Sequence, residues 1–211
     1  MNIIEYVFKT INILESLNIE YALVGGFACI LMGINRLTED IDFIIKIDSY
    51  EKALKLAEKL NKNSFKVSLS EVLGAFKDKG HFTILVERYR IDFKIASSTI
   101  DFITIRDAVS ITIDSHKIRL ARLEDLIATK ITVLGSLKDI EDALKLMILH
   151  SDKIEWKRVK KLAGKNIGKE IYKILSQIEK EFRDNIEVMR KIDELKKLLN
   201  IIKTSNNFEF S

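Results

Sequence analysis

The chain has 211 residues, 47% of them hydrophobic and 31% charged. That length and apolar share exclude a disordered tail or a disulfide-stapled miniprotein and suit one large domain, or a core of about 120 residues with an appendage. Net charge is +4, unevenly spread: residues 151–211 hold 15 of the 35 Lys/Arg and 10 of the 31 Asp/Glu, an excess of +5 that leaves −1 over residues 1–150.

A basic C-terminal end fits a polyanionic partner, and solvated helix faces give the same pattern. The single cysteine, Cys29, excludes an intramolecular disulfide and a zinc knuckle. With no charged-then-apolar leader and no apolar run of 18 residues, the chain reads as cytoplasmic.

Ile3, Ile4, Val7, Ile11, Leu14 and Leu17 recur at helical spacing, so residues 2–17 are expected to form a helix. "YALVGG" reads as a short buried strand and "FACILMG" as a short helix. "DIDFIIKI" is β-branched and reads as a strand. Asp48, with Glu51 three positions on, reads as the capping box of a helix running to about Leu60. "HFTILVE" and "RIDFKIA" are expected to pair across Arg88–Tyr89, and "AVSITID" and "KIRLA" across Ser115–His116. Helical patterns then fill segments near 122–135, 138–149, 155–164, 168–184 and 186–203. The change near residue 121 predicts an α/β core over 1–121 and a helical region over 122–211.

Alternate residues of a strand share a face, so Asp40 and Asp42 point one way and Ile41 and Phe43 the other. In "RIDFKI" the same alternation sets Asp92 and Lys94 against Ile91, Phe93 and Ile95. If the two strands are neighbours, three carboxylates meet on one face and repel unless neutralised. Mg²⁺ suits such a set because it takes oxygen ligands, with substrate phosphates completing its shell. Two such ions clamp the attacking and leaving oxygens of a nucleotidyl displacement. Gly25 and Gly26, between a strand and a helix, let backbone N–H groups approach phosphate closely. Arg36 and Thr38, just before the carboxylates, are placed to touch the same phosphates.

Gly25–Gly26, then Arg36-x-Thr38-x-Asp40-x-Asp42, then Asp92 between hydrophobic residues, resemble the DNA polymerase β-type nucleotidyltransferase superfamily. "LEDLIATKITVLGSLKDIEDAL", with Asp125, Lys130, Lys138, Asp139 and Asp142, resembles the fourth motif of its abortive-infection type E toxin-like branch. The resemblance covers roughly residues 15–150. It implies a polymerase β-like core of α/β (α+β) class with a short mixed sheet, followed by a C-terminal helical bundle. It also implies Mg²⁺-dependent transfer of NMP from an NTP to an acceptor hydroxyl, with two ions, Mn²⁺ as a substitute, and RNA among the acceptor classes. Asp40, Asp42 and Asp92 would hold the metals, and Asp92 would help deprotonate the acceptor. Gly25 and Gly26 would cradle the triphosphate. Lys130 would contact the nucleotide, and Asp139 or Asp142 would orient the acceptor or act as base. Two positions depart from the pattern: Phe27 stands where the superfamily often has Ser, and Lys138 where Arg is common.

Blander readings accompany each signal. Asp-Ile-Asp also suits an edge strand with solvated carboxylates. Lys94 would pair with Asp42 or Asp92 without metal, and Asp125 would cap its helix. The cluster of Trp156, Lys157, Arg158, Lys160, Lys161 and Lys165 reads as an RNA-binding segment or as a solvated helix with Trp156 in the core. The stripe Val188, Ile192, Leu195, Leu199 and Ile202 reads as internal packing, a homodimer seam or the dock of an antitoxin-like protein. His81, His116 and His150 show no ligand spacing. The alternative to an enzyme is a non-catalytic member of the same fold that binds nucleotide or a partner.

Overall fold

The structure is a computed structural model that describes residues 2–164 and 166–205. It divides into two compact units, Met1–Leu31 with Asn35–Arg122, and Met32–Ile34 with Leu123–Ser211.

The first unit is built on a six-stranded mixed sheet. Its strands are β1 (Glu20–Val24), β2 (Asp40–Lys46), β3 (His81–Val86), β4 (Tyr89–Ile95), β5 (Val109–Ile113) and β6 (His116–Leu120), in the order β3-β4-β2-β1-β6-β5. β2 and β4 run parallel, as do β1 and β6, and the remaining neighbours are antiparallel. One face of the sheet is apolar throughout: Tyr21, Leu23, Ile41, Phe43, Ile45, Ile84, Ile91, Phe93 and Ile95 are buried. Phe93 stacks on Phe82 with centroids 4.6 Å apart, and Tyr6 of helix α1 (Ile3–Ser16) meets Tyr89 on this side. Such stacked and tilted pairs stabilise beyond their buried area.

The opposite face carries Asp40, Asp42, Arg90, Asp92 and Lys94. One end of it is covered by α5 (Thr99–Arg106), whose Ile105 packs with Ala22, Ile44 and Ala96. Around the sheet lie α2 (Gly25–Leu31), α3 (Tyr50–Lys62) and α4 (Leu69–Asp78).

Several local expectations are corrected. The hairpin turns fall at Glu87–Arg88 and Asp114–Ser115, one residue earlier than expected. Glu87, Asp114 and Ser115 all take positive φ, as tight hairpin turns require. α3 is capped by Ser49, whose side chain accepts from the Lys52 N–H at 3.2 Å, while Asp48 pairs with the Lys52 side chain. α4 and α5 were not expected. Each begins with a Ser followed three residues later by an acid: the Ser68 N–H donates to Glu71, and Asp101 exchanges hydrogen bonds with Ser98.

The second unit is helical: α6 (Leu123–Thr129), a π-helical turn (Lys130–Leu134), α7 (Leu137–Leu149), α8 (Trp156–Ala163), α9 (Ile167–Glu181) and α10 (Ile186–Ser205). Ile192, Leu195, Leu199 and Ile202 of α10 are buried, and α10 packs on α7 and α9. Four of the five stripe residues are thus taken up by packing within the unit, and Val188 is half-buried. Among the described residues no helix is long and apolar enough to cross a membrane.

Candidate active site

Asp40 and Asp42 open a central strand, not an edge one. β2 lies between β1 and β4, with Ile41 and Phe43 buried beneath the sheet and both carboxylates half-buried above it. The start of the strand is fixed locally. The Asp40 N–H donates to Thr38 Oγ1 at 3.2 Å, and the Arg90 N–H to the Glu39 carbonyl at 2.9 Å. Thr38 is thus occupied in shaping the turn.

The parallel register sets Asp42 beside Asp92 and Asp40 beside Arg90. Neighbouring strands are about 4.8 Å apart, so the expected meeting of the carboxylates is a property of the backbone. Arg90 lies among them, its Nε 2.8 Å from Asp92 Oδ2 and 3.4 Å from Asp40 Oδ1. Asp92 first, then Asp40, hold the guanidinium above its ordinary value. Thr83, in register with Asp92 from the other side, donates its hydroxyl to Asp92 Oδ1 at 2.5 Å.

The two glycines have separate causes. At Gly25, φ is +69° and an added Cβ would lie 1.9 Å from Asp42 Oδ2, so the Asp42 carboxylate fills the place of a side chain. At Gly26 an added Cβ would lie 3.0 Å from Arg36 Nη2, so the Arg36 guanidinium lies over that backbone. Phe27, in the position of the usual serine, is buried and offers no hydroxyl.

Lys94 shares the face but turns to Asp101, at 2.7 Å, rather than to Asp42 or Asp92. Asp101 also accepts the Ser97 and Ser98 N–H groups. Burial alone would raise the Asp101 carboxyl. Lys94 and the two amides outweigh it and hold the group below its usual range.

The remaining expected site residues lie in the second unit. Lys130 is buried, its Nζ 3.0 Å from Asp139 Oδ1 and 2.8 Å from Asp142 Oδ2. Asp139 also accepts from Ser136 Oγ at 2.5 Å. Asp125, in the first turn of α6, is gripped by Arg158 with two hydrogen bonds, at 2.8 and 3.1 Å. On α8, Lys157, Lys160 and Lys161 are exposed and Trp156 is half-buried; Lys165 lies outside the described residues.

As the side chains lie, no three His, Cys, Asp or Glu residues among those described are gathered to hold an ion, and Arg90 bridges two of the three aspartates instead. In kind the donor set fits Mg²⁺: three carboxylates, oxygen only, on one face of adjacent strands.

The profile of the family described as "Nucleotidyl transferase AbiEii toxin, Type IV TA system" matches residues 11–142, more than half of the chain. The chain belongs to this family. It is accordingly a nucleotidyltransferase, in the AbiEii-like branch of the polymerase β-type fold. No curated protein matches it. Among solved structures, the antibiotic-resistance factor ANT(2'')-Ia is 16% identical, with a TM-score of 0.52 over 78% of this chain and 91% of that one, a likeness of fold. An antigenic nucleotidyltransferase-like protein from Paracoccidioides brasiliensis is 18% identical, with a TM-score of 0.40 over 87% and 92% of the two chains. A tRNA-processing enzyme in its apo form is 17% identical, with a TM-score of 0.42, and the match covers 94% of this AbiEii-family chain and 57% of that enzyme.

The alternation along β2 and β4 located Asp40, Asp42 and Asp92 but missed Arg90 and Thr83. Arg90 has the same parity as Asp92, so the same rule finds it. Thr83 needs the hairpin register, which depends on the placing of its turn.

Proposed function

We propose that this protein transfers NMP from an NTP to an acceptor hydroxyl with Mg²⁺, and that it acts as the toxin-like member of a toxin–antitoxin pair. The observation that carries the reading is the register of β2 on β4, which places Asp42 beside Asp92 with Asp40 on the same face. Asp40, Asp42 and Asp92 would hold the ions. Bound there, Mg²⁺ neutralises the triphosphate and makes the acceptor hydroxyl more acidic. Gly25 and Gly26 let the chain approach the phosphates, and the Arg36 guanidinium over Gly26 supplies the cation in place of a serine hydroxyl. Asp92 already accepts hydrogen bonds on both oxygens, which suits a ligand better than the proton acceptor the family likeness implies. Catalysis would then be positioning and charge neutralisation.

RNA is the acceptor class we favour. The exposed lysines of α8 support a polyanion, as does the basic excess after residue 150. Lys130 and Asp139 hold one another in a buried ion pair, and we assign them to the architecture of the second unit rather than to chemistry. The family's Type IV description supports an antitoxin protein as partner.

Buried Phe27 favours a second reading, a non-catalytic member that binds nucleotide or partner. One experiment separates the two. The purified protein is incubated with Mg²⁺ and each α-labelled NTP in a cell extract, beside an Asp40→Ala/Asp42→Ala control. Label transferred only by wild type supports the enzyme, and its removal by ribonuclease supports RNA. No transfer with any NTP supports the binding reading.

A further inference from the structure

We infer that Thr83 is a positioning residue for Asp92. The two side chains belong to one transverse row of the sheet, Thr83 on β3, Asp92 on β4, Asp42 on β2 and Val24 on β1, each in register with the next. Thr83 reaches Asp92 from the edge-strand side and donates to Oδ1 at 2.5 Å, while Asp42 lies on the opposite side. A carboxylate has two oxygens and about four lone-pair sites. A donor fixed on the outer side of Oδ1 holds the torsion of Asp92 and leaves the lone pairs that face Asp42 for a ligand. Arg90 binds the other oxygen from along the same strand, and it is shared with Asp40. Among the described residues, Thr83 meets this one carboxylate.

The position is not otherwise demanding. Thr83 is exposed, on an edge strand, between exposed His81 and Leu85. An exposed hydroxyl exchanges its partner for water at little cost, so the bond contributes little to stability. Valine has the same shape and a good β propensity. What the hydroxyl does is orient the carboxylate. Hydrogen-bond partners behind metal-binding carboxylates commonly affect metal affinity or activity by about 10- to 100-fold when removed.

The inference rests on the reading of Asp92 as a metal ligand, and the test keeps the two apart. Mn²⁺ binding is titrated directly on the substrate-free protein, and label transfer is timed at low and saturating NTP. The variants are Thr83→Val, Thr83→Ala, Thr83→Ser and, as the reference for the metal reading, Asp92→Asn. The expected result is a weakening of Mn²⁺ binding by about tenfold in both hydroxyl-free variants. Transfer at saturating NTP falls with it, Thr83→Ser stays near wild type, and all three melt within a degree or two of wild type. Two hydroxyl-free variants that bind Mn²⁺ as wild type does, while Asp92→Asn does not, overturn the role of Thr83 and leave the metal reading standing. Asp92→Asn binding Mn²⁺ as wild type does overturns both. Equal loss in Thr83→Ser and Thr83→Val also overturns the inference, since the hydroxyl is then not what matters.

Discussion

Arg90 Nε lies 2.8 Å from Asp92 Oδ2 and 3.4 Å from Asp40 Oδ1, so one guanidinium joins two of the three aspartates on the site face. A metal ion at those carboxylates competes with this contact. Arg90→Met removes the guanidinium that joins Asp40 to Asp92 and leaves their charges to repel. The side chain is half-exposed, so the expected loss of stability without metal is small, about 0.5–1 kcal/mol. Millimolar Mg²⁺ should then raise the melting temperature of the variant more than that of wild type. Thermal melts with and without the ion check this, and equal shifts count against it.

Gly25→Ala should abolish transfer through geometry alone. The new methyl would lie 1.9 Å from Asp42 Oδ2 at a residue with φ of +69°, so Asp42 must move and the backbone is strained. An L-residue in the left-handed region costs about 1–2 kcal/mol. Asp42→Ala is the companion variant. It should lose transfer just as fully while its metal-free melting temperature is retained, because it removes one of three like charges. Melting and label transfer on the pair check both statements, and an active Gly25→Ala would show that Asp42 needs no fixed place.

The common face of the three aspartates was legible in sequence because strand alternation is rigid. Once "DIDF" and "RIDF" are strands, Asp40, Asp42 and Asp92 must share a face if β2 and β4 are neighbours. Thr83 was not legible for a reason of one residue. A turn at Arg88–Tyr89 opposes Asp92 with Leu85, whereas the turn at Glu87–Arg88 opposes it with Thr83. Glu87 takes the left-handed conformation without being Gly, Asn or Asp, so composition gave no hint of it. The helices α4 and α5 were marked by Ser68-x-x-Glu71 and Ser98-x-x-Asp101, but the β-branched residues of "TIDFITIR" argue against a helix and tertiary packing overrides them. Spacing also grouped Lys130 with Asp139 and Asp142 correctly. It could not show that Lys130 is buried, because burial depends on the packing of α6 and α7.

Lys130→Met should behave as a structural variant. The side chain is 4% exposed and its ammonium lies between two carboxylates, Asp139 and Asp142. Removing the cation leaves buried carboxylates short of compensation, a loss of about 3–5 kcal/mol. Lys130→Met combined with Asp139→Asn and Asp142→Asn should recover part of that stability, since amides need no counter-charge. Chemical denaturation of the single and triple variants checks this. A single variant as stable as wild type but inactive would return Lys130 to the chemistry.

The Lys94–Asp101 pair gives a pH dependence whose sign follows from the carboxyl's environment. Burial pushes the Asp101 carboxyl up, but Lys94 at 2.7 Å and the Ser97 and Ser98 amides pull it further down, so its folded value lies below the ordinary carboxylate range. A group depressed on folding contributes stability above its unfolded value and loses it as pH falls through the folded one. The contribution is therefore complete at neutral pH and fades on the acid side, below about pH 4. Asp101→Asn should cost about 1.5–3 kcal/mol at pH 7, the range for hydrogen bonds to a charged group. The gap between wild type and variant should narrow steadily as pH falls below about 4. Melting temperatures of the two proteins across that range check it. A gap that stays constant would mean that the hydrogen bonds to Ser97 and Ser98 matter and the charge on Asp101 does not.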